Sequence, residues 1–171
     1  MPLSPQTART LNTILSRAVG AHEPGIAIGI AQAGRVVWRG ARGLANVEAQ
    51  IPFTPSTPFR ICSISKQFAC ALVMREARAG RIALDAHPSR YLPWAKVLDS
   101  ALTIAHLMQN KSGVRDQWVL AMMMGARAEQ RFTLADGIEV SRLAHESMFA
   151  PGSQNLYCNA NFEMLGRFWR R

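Results

Sequence analysis

Ile61-Cys62-Ser63-Ile64-Ser65-Lys66-Gln67-Phe68 is the stretch on which the reading of this chain turns. From Ser63 onward, Ile64, Phe68, Ala71 and Leu72 recur at helical spacing, and Gly80 stops the run. A helix that begins at Ser63 carries Lys66 about one turn further along the same face, within hydrogen-bond reach of the serine hydroxyl. It also leaves the Ser63 N–H among the unpaired donors at the positive end of the helix dipole, where it can stabilise a developing oxyanion. A serine hydroxyl is a poor nucleophile until a base takes its proton, and Lys66 can be that base only when neutral, a state favoured by burial beside other donors. The plainer reading of the same residues is a serine cap followed by a surface cation.

Upstream, Ser4-Pro5 precedes apolar residues at Leu11, Ile14, Leu15, Ala18 and Val19, the pattern of a capped amphipathic helix that ends near Gly20. Residues 25–32 and 35–44 are β-rich runs on either side of Ala33-Gly34 and read as a hairpin. A loop with Pro52, Pro55 and Pro58 then leads to Phe59-Arg60-Ile61. Beyond Gly80 the pattern is helical in short pieces, over residues 103–109, 117–124 and 133–146, with a break at 110–113 and no strand-like alternation. Pro151-Gly152 must turn, Leu156-Tyr157-Cys158 reads as extended, and a last helix starts at Asn159. That helix holds Phe162, Leu165, Phe168 and Trp169 and runs to Arg171. A two-stranded hairpin is not stable alone, so it is expected to join an antiparallel sheet with more strands than residues 1–171 supply.

The 171 residues are 49% hydrophobic and 18% charged, the profile of one globular domain. Cys62, Cys70 and Cys158 are odd in number and lack C-x-x-C spacing, which favours reduced thiols over a disulfide framework or a zinc site. Gln6, Arg9, Asn12 and Arg17 interrupt the first twenty residues, unlike a signal peptide, and no stretch is apolar enough for a bilayer span. The expectation is a cytoplasmic protein with no membrane partner. The formal charge of +9 comes from scattered arginines without clusters or interleaved aromatics, which argues against a nucleic-acid partner.

The second chemical element is Tyr157-x-Asn159, in a chain with only two tyrosines. A phenol held near donors can lose its proton, act as a base and return the proton to a leaving amine. The Asn159 amide can hold a substrate carbonyl or the lysine ammonium. The plainer reading is a partly buried tyrosine with an asparagine cap on the next helix.

Taken in order, the Ser63 stretch, then Asn110-Lys111-Ser112-Gly113-Val114-Arg115-Asp116 through Trp118, then Phe149-Ala150-Pro151-Gly152 running into Tyr157-Cys158-Asn159 and Phe162, resemble class C β-lactamases and their serine-peptidase relatives. Within that group they look most like bacterial D-stereospecific aminopeptidases. The resemblance implies an α/β (α+β) fold of β-lactamase/transpeptidase type: an antiparallel sheet flanked by helices, plus a helical subdomain, truncated before the C-terminal strands. It implies Ser63 as acylated nucleophile, Lys66 as its proton acceptor or electrostatic partner, and Tyr157 as general base and acid. Asn159 and Ser112 would be substrate-binding, with no metal or other cofactor. The implied substrate is a small peptide or amide, and a homodimer is compatible with the family. A β-lactamase, an esterase and a non-catalytic remnant are the alternatives. Family members continue to a Lys-Thr-Gly or His-x-Gly motif that has no counterpart after Asn159 here, so residues 1–171 are expected to be inactive alone. His22, His87, His106 and His145 read as structural or surface residues.

Overall fold

The first helix, α1 (Pro5–Ala18), begins where Ser4 accepts a hydrogen bond from the Thr7 N–H at 3.1 Å and Pro5 occupies the first turn, where an N–H would go unused. The computed structural model describes residues 3–127, 130–143 and 145–168. Trp169 and Arg171, assigned to the last helix by the sequence pattern, lie outside them. The chain divides into two compact units, residues 1–60 and 61–171.

In the first unit, β1 (Ile26–Gln32) and β2 (Arg35–Arg42) form the expected antiparallel hairpin, with Ile26 opposite Arg42 and Gln32 opposite Arg35. The two turn residues, Ala33 at φ 49° and Gly34 at φ 75°, are both left-handed, which suits the twist of a two-residue hairpin. Leu15, the buried residue of α1, faces β2, where a Cβ on Gly40 would lie 2.9 Å from its Cδ2. A second short ladder joins β3 (Leu44–Asn46) to β4 (Ile51–Pro52) inside the segment that the prolines suggested was loop. The antiparallel sheet of the described residues is therefore two separate pairs of strands.

The second unit is helical among its described residues. It comprises α2 (Ser65–Arg78), α3 (Ile104–Met108), α4 (Gln117–Met123), α5 (Leu134–Leu143) and α6 (Asn159–Arg167). Gly80, at φ 72°, ends α2 as its sequence position suggests. Two 3₁₀ turns, Pro88–Arg90 and Pro93–Val97, follow, each with a proline in its opening turn. His87 caps the first: its Nδ1 accepts from the Ser89 N–H, and its Nε2 lies 3.1 Å from the Asp99 carbonyl, so the proton sits on Nε2. His106 closes a reciprocal cap with Thr103 at the start of α3.

The core gathers Val73 from α2, Leu92, Ala95, Leu98 and Leu102 from the connecting segment, Ile104 and Leu107 from α3, and Ala160, Met164 and Leu165 from α6. The buried positions of α6, Ala160, Asn161, Met164 and Leu165, recur one turn apart, so its inward face is apolar except at Asn161, while Asn159 stands at its N-terminal edge. No helix among the described residues is long and apolar enough to cross a membrane.

Replacing Leu165, which has 0% exposure, by Ala should destabilise the chain by about 2–5 kcal/mol through lost burial and a residual cavity. Val119→Ala, at a position 51% exposed on α4, should stay within about 0.5 kcal/mol of the parent. Urea unfolding curves of the two variants check the contrast.

Candidate active site

Ser63 sits in a 3₁₀ turn, Cys62–Ile64, that leads directly into α2. Cys62 has φ 46°, a left-handed conformation that costs energy for a residue with a Cβ and here turns the chain into the helix. The α-helix proper thus begins two residues after Ser63, yet the three-residue spacing still places Lys66 Nζ 3.0 Å from Ser63 Oγ.

Tyr157 and Asn159 reach the same point from the far end of the sequence. Asn110, at φ 55°, anchors their segment: its carbonyl accepts from the Leu156 N–H at 2.9 Å and its Oδ1 from the Cys158 N–H at 3.2 Å. The Lys111 carbonyl accepts from the Gly152 N–H at 2.8 Å, which fixes the turn before that segment. Gly113, at φ 73°, lets the 110–116 loop close on the 147–149 segment, since a Cβ there would lie 2.1 Å from the Phe149 carbonyl oxygen.

These anchors close a ring of four polar groups. Ser63 Oγ is 2.7 Å from Tyr157 Oη, Lys66 Nζ donates to Asn159 Oδ1 at 2.8 Å, and Tyr157 Oη lies 3.3 Å from that same Oδ1. The ammonium is also 4.9 Å from the Tyr157 ring centroid and 5.4 Å from that of Phe162, within cation–π range. The hydrogen bond from Lys66, then that from Ser63, hold the Tyr157 phenol below its ordinary pKa, against the opposing effects of partial burial and the Asp116 carboxylate. A phenol so placed can take the proton of Ser63 Oγ directly. Lys66 Nζ faces two acceptors, the arrangement that suits an ammonium donor.

Sequence reasoning brings Ser63, Lys66, Tyr157 and Asn159 to one place, and the structure does the same. It does not bring Ser112 there. Ser112 is 2% exposed; its hydroxyl donates to Asn161 Oδ1 at 2.7 Å and accepts from the Val114 N–H at 3.1 Å, so the expected substrate contact is instead a buried brace. Asn161 completes that brace by donating to Asn110 Oδ1 at 3.3 Å. Asp116 ends the 110–116 motif, and both of its oxygens are engaged. Its Oδ1 caps α4 through the Trp118 and Val119 N–H groups, while its Oδ2 accepts from the backbone N–H and, at 2.9 Å, the Nδ2 of Asn159. An acidic residue immediately before an apolar helical run is a legible cap signal, but the second partner is not.

The thiol nearest Tyr157 in sequence is no rival nucleophile: burial pushes Cys158 up to about 11. No cluster of three or more His, Cys, Asp or Glu side chains able to hold a metal occurs among the described residues.

A family model described as Beta-lactamase matches residues 11–171. The chain belongs to the beta-lactamase family. It is 38% identical over 142 residues to a D-aminopeptidase of Gluconobacter oxydans (strain 621H), covering 83% of this chain and 26% of the relative. It thus spans about a quarter of that relative's length. Among solved structures, EstCE1, a hydrolase with promiscuous acyltransferase activity, superposes with TM-score 0.76 at 24% identity, over 95% of this chain and 46% of that one. A D-amino acid amidase from Ochrobactrum anthropi SV3, complexed with D-phenylalanine, gives TM-score 0.74 at 21% identity, over 92% and 43%. At these identities the structural likeness speaks for the fold. The fold of this beta-lactamase-family chain is therefore the β-lactamase/transpeptidase type that its motifs implied.

Two measurements probe the site. In a Tyr91→Phe background, where Tyr157 is the remaining tyrosine, Lys66→Met should raise the ultraviolet titration midpoint of Tyr157 towards that of an ordinary phenol. An unmoved midpoint would mean that the ammonium does not control the phenol. Ser112→Ala strands buried partners and should cost about 1–3 kcal/mol of stability in denaturant titration.

Proposed function

We propose that this chain carries the acylating machinery of a serine hydrolase that opens amide bonds through an acyl-enzyme, in the manner of a D-aminopeptidase releasing N-terminal D-residues. The observation that carries the reading is the ring of Ser63, Lys66, Tyr157 and Asn159, in which nucleophile and phenol are 2.7 Å apart. The family membership and the likeness to a D-aminopeptidase support the choice of amide over other acyl substrates.

In the proposed reaction, Ser63 Oγ attacks the carbonyl carbon as its proton passes to Tyr157 Oη. The bond to the carbonyl oxygen loses its π character and negative charge gathers there. The Ser63 N–H, in the turn that opens the helical segment, can stabilise that charge. Collapse of the tetrahedral species breaks the C–N bond, and Tyr157 returns its proton to the departing amine. In the whole enzyme water then adds to the serine ester as Tyr157 accepts its proton; collapse breaks the bond between the carbonyl carbon and Ser63 Oγ, Tyr157 returns the proton to Oγ, and the acid leaves. Lys66 Nζ, donating to Ser63 Oγ and Asn159 Oδ1, favours the phenolate form of Tyr157 each time that form appears. The substrate is a small peptide or amide; the same acyl-enzyme chemistry accepts activated esters, which makes them usable probes.

Residues 1–171, which hold no Lys-Thr-Gly or His-x-Gly motif after Asn159, should not turn over the 4-nitrophenyl ester of D-alanine but stop at an alanyl adduct on Ser63, located by peptide mass spectrometry, with one nitrophenolate released per adduct. Ser63→Ala should leave none, and Tyr157→Phe should slow formation by about 10²–10⁴-fold. The L-ester should react more slowly than the D-ester. An adduct on another residue, or one that survives Ser63→Ala, overturns the assignment; equal rates for the two esters remove the D-specific part of it.

A further inference from the structure

Of the groups around the ring, one is charged, shielded and unused by the reaction just described. Asp116 meets Asn159 in two places, and chemistry permits only one arrangement of the amide between its neighbours. A lysine ammonium has donors and no acceptor; an ionised carboxylate has acceptors and no donor. Asn159 lies between the two, with Oδ1 2.8 Å from Lys66 Nζ and Nδ2 2.9 Å from Asp116 Oδ2. A flipped amide would set NH₂ against ammonium on one side and carbonyl against carboxylate on the other.

We infer that Asp116 is a positioning residue: through Oδ2 it fixes the Asn159 amide so that its carbonyl oxygen faces Lys66 and Tyr157. The inference rests on the reading of Ser63, Lys66 and Tyr157 as the reacting groups. Its geometric basis is that both oxygens of one carboxylate are committed. Oδ1 holds the first N–H groups of α4, and Oδ2 holds the backbone and side chain of the residue that opens α6. The carboxylate thereby joins the N-terminal ends of two helices and transmits their placement to a single amide. Lys66 in turn has its third hydrogen left for the groups nearest it, because Ser63 Oγ and Asn159 Oδ1 take the other two. Asp116 also acts on Tyr157 through space. The charged groups facing the phenol are Lys66 from α2, which favours phenolate, and Asp116 from the turn before α4, which opposes it.

Serine is as good a helix cap as aspartate but too short to reach Asn159, so Asp116→Ser separates the cap from the amide. The variant should remain folded, with a lowered unfolding midpoint because the two donors of Asn159 lose their acceptor, and lose about a hundredfold in the rate of Ser63 acylation by D-alanine 4-nitrophenyl ester. In an Asn159→Ala background the same substitution should change the rate by less than about twofold, because the amide it positions is gone. The acid limb of the acylation rate should also move to lower pH, since the opposing carboxylate charge is removed. Losses that simply add in the double variant would overturn the inference and leave Asp116 as a cap alone.

A readout free of chemistry keeps the inference separate from the proposed function. In the ¹⁵N–¹H spectrum of the unsubstituted chain, the Asn159 carboxamide protons should exchange slowly with solvent, and in Asp116→Ser their exchange should accelerate at least tenfold. Fast exchange in the unsubstituted chain would overturn the inference even where the variants fail to fold. If no ester acylates Ser63, the proposed function falls, and the carboxamide exchange still decides the role of Asp116.

Discussion

The site is organised by one cation. Lys66 Nζ donates to Ser63 Oγ and to Asn159 Oδ1 and lies over the rings of Tyr157 and Phe162. Those contacts link a residue near the start of α2 to residues more than ninety positions later. A cation so surrounded is worth keeping only if its neighbours are held still, because an ammonium that loses an acceptor in a partly buried setting loses the interaction that offsets its desolvation. Most of what surrounds the ring serves that end. Asn110 ties down the segment that carries Tyr157, Ser112 and Asn161 brace the loop behind it, and Gly113 lets that loop close. The apolar core beneath, from Val73 to Leu165, fixes α2 against α6 and so sets the distance between Ser63 and Tyr157.

Much of this was legible from local sequence. The hairpin announced itself because two β-rich runs flank a two-residue turn, and Gly34 supplies one of the two left-handed positions that such a turn needs. Ser4-Pro5 and Gly80 marked a helix start and a helix stop for the reasons that make those residue types caps and breakers. Ser63, Lys66 and the Tyr-x-Asn pair were legible as short motifs at fixed spacing. Their order with the Ser-Gly and Pro-Gly stretches made the family resemblance specific. The structure adds one local detail at Ser63: the chain enters the helix through a 3₁₀ turn with Cys62 in a left-handed conformation, which no residue-type rule predicts for a cysteine.

What was not legible depended on contacts far apart in sequence. Ser112 beside a glycine in a loop reads as an exposed polar group, and only the approach of Asn161, 49 residues later, makes it a buried brace. Asp116 before α4 reads as a cap, which it is, but its second oxygen serves Asn159, 43 residues away. The β3–β4 ladder and the two 3₁₀ turns were hidden for a different reason. Prolines at 52, 88 and 93 signal turns, and a proline on a short edge strand or in a 3₁₀ turn carries the same signal as one in a loop.

In the proposed reaction the phenol of Tyr157, lowered by Lys66, takes the proton of Ser63. The pH dependence of the Ser63 acylation rate, followed in the parent chain and in Tyr157→Phe, decides whether it does. The rate should rise with pH through the spectroscopic titration midpoint of Tyr157, and that limb should be absent from Tyr157→Phe. An acid limb that persists at the same pH without the phenolic hydroxyl would contradict it and assign the proton to another group.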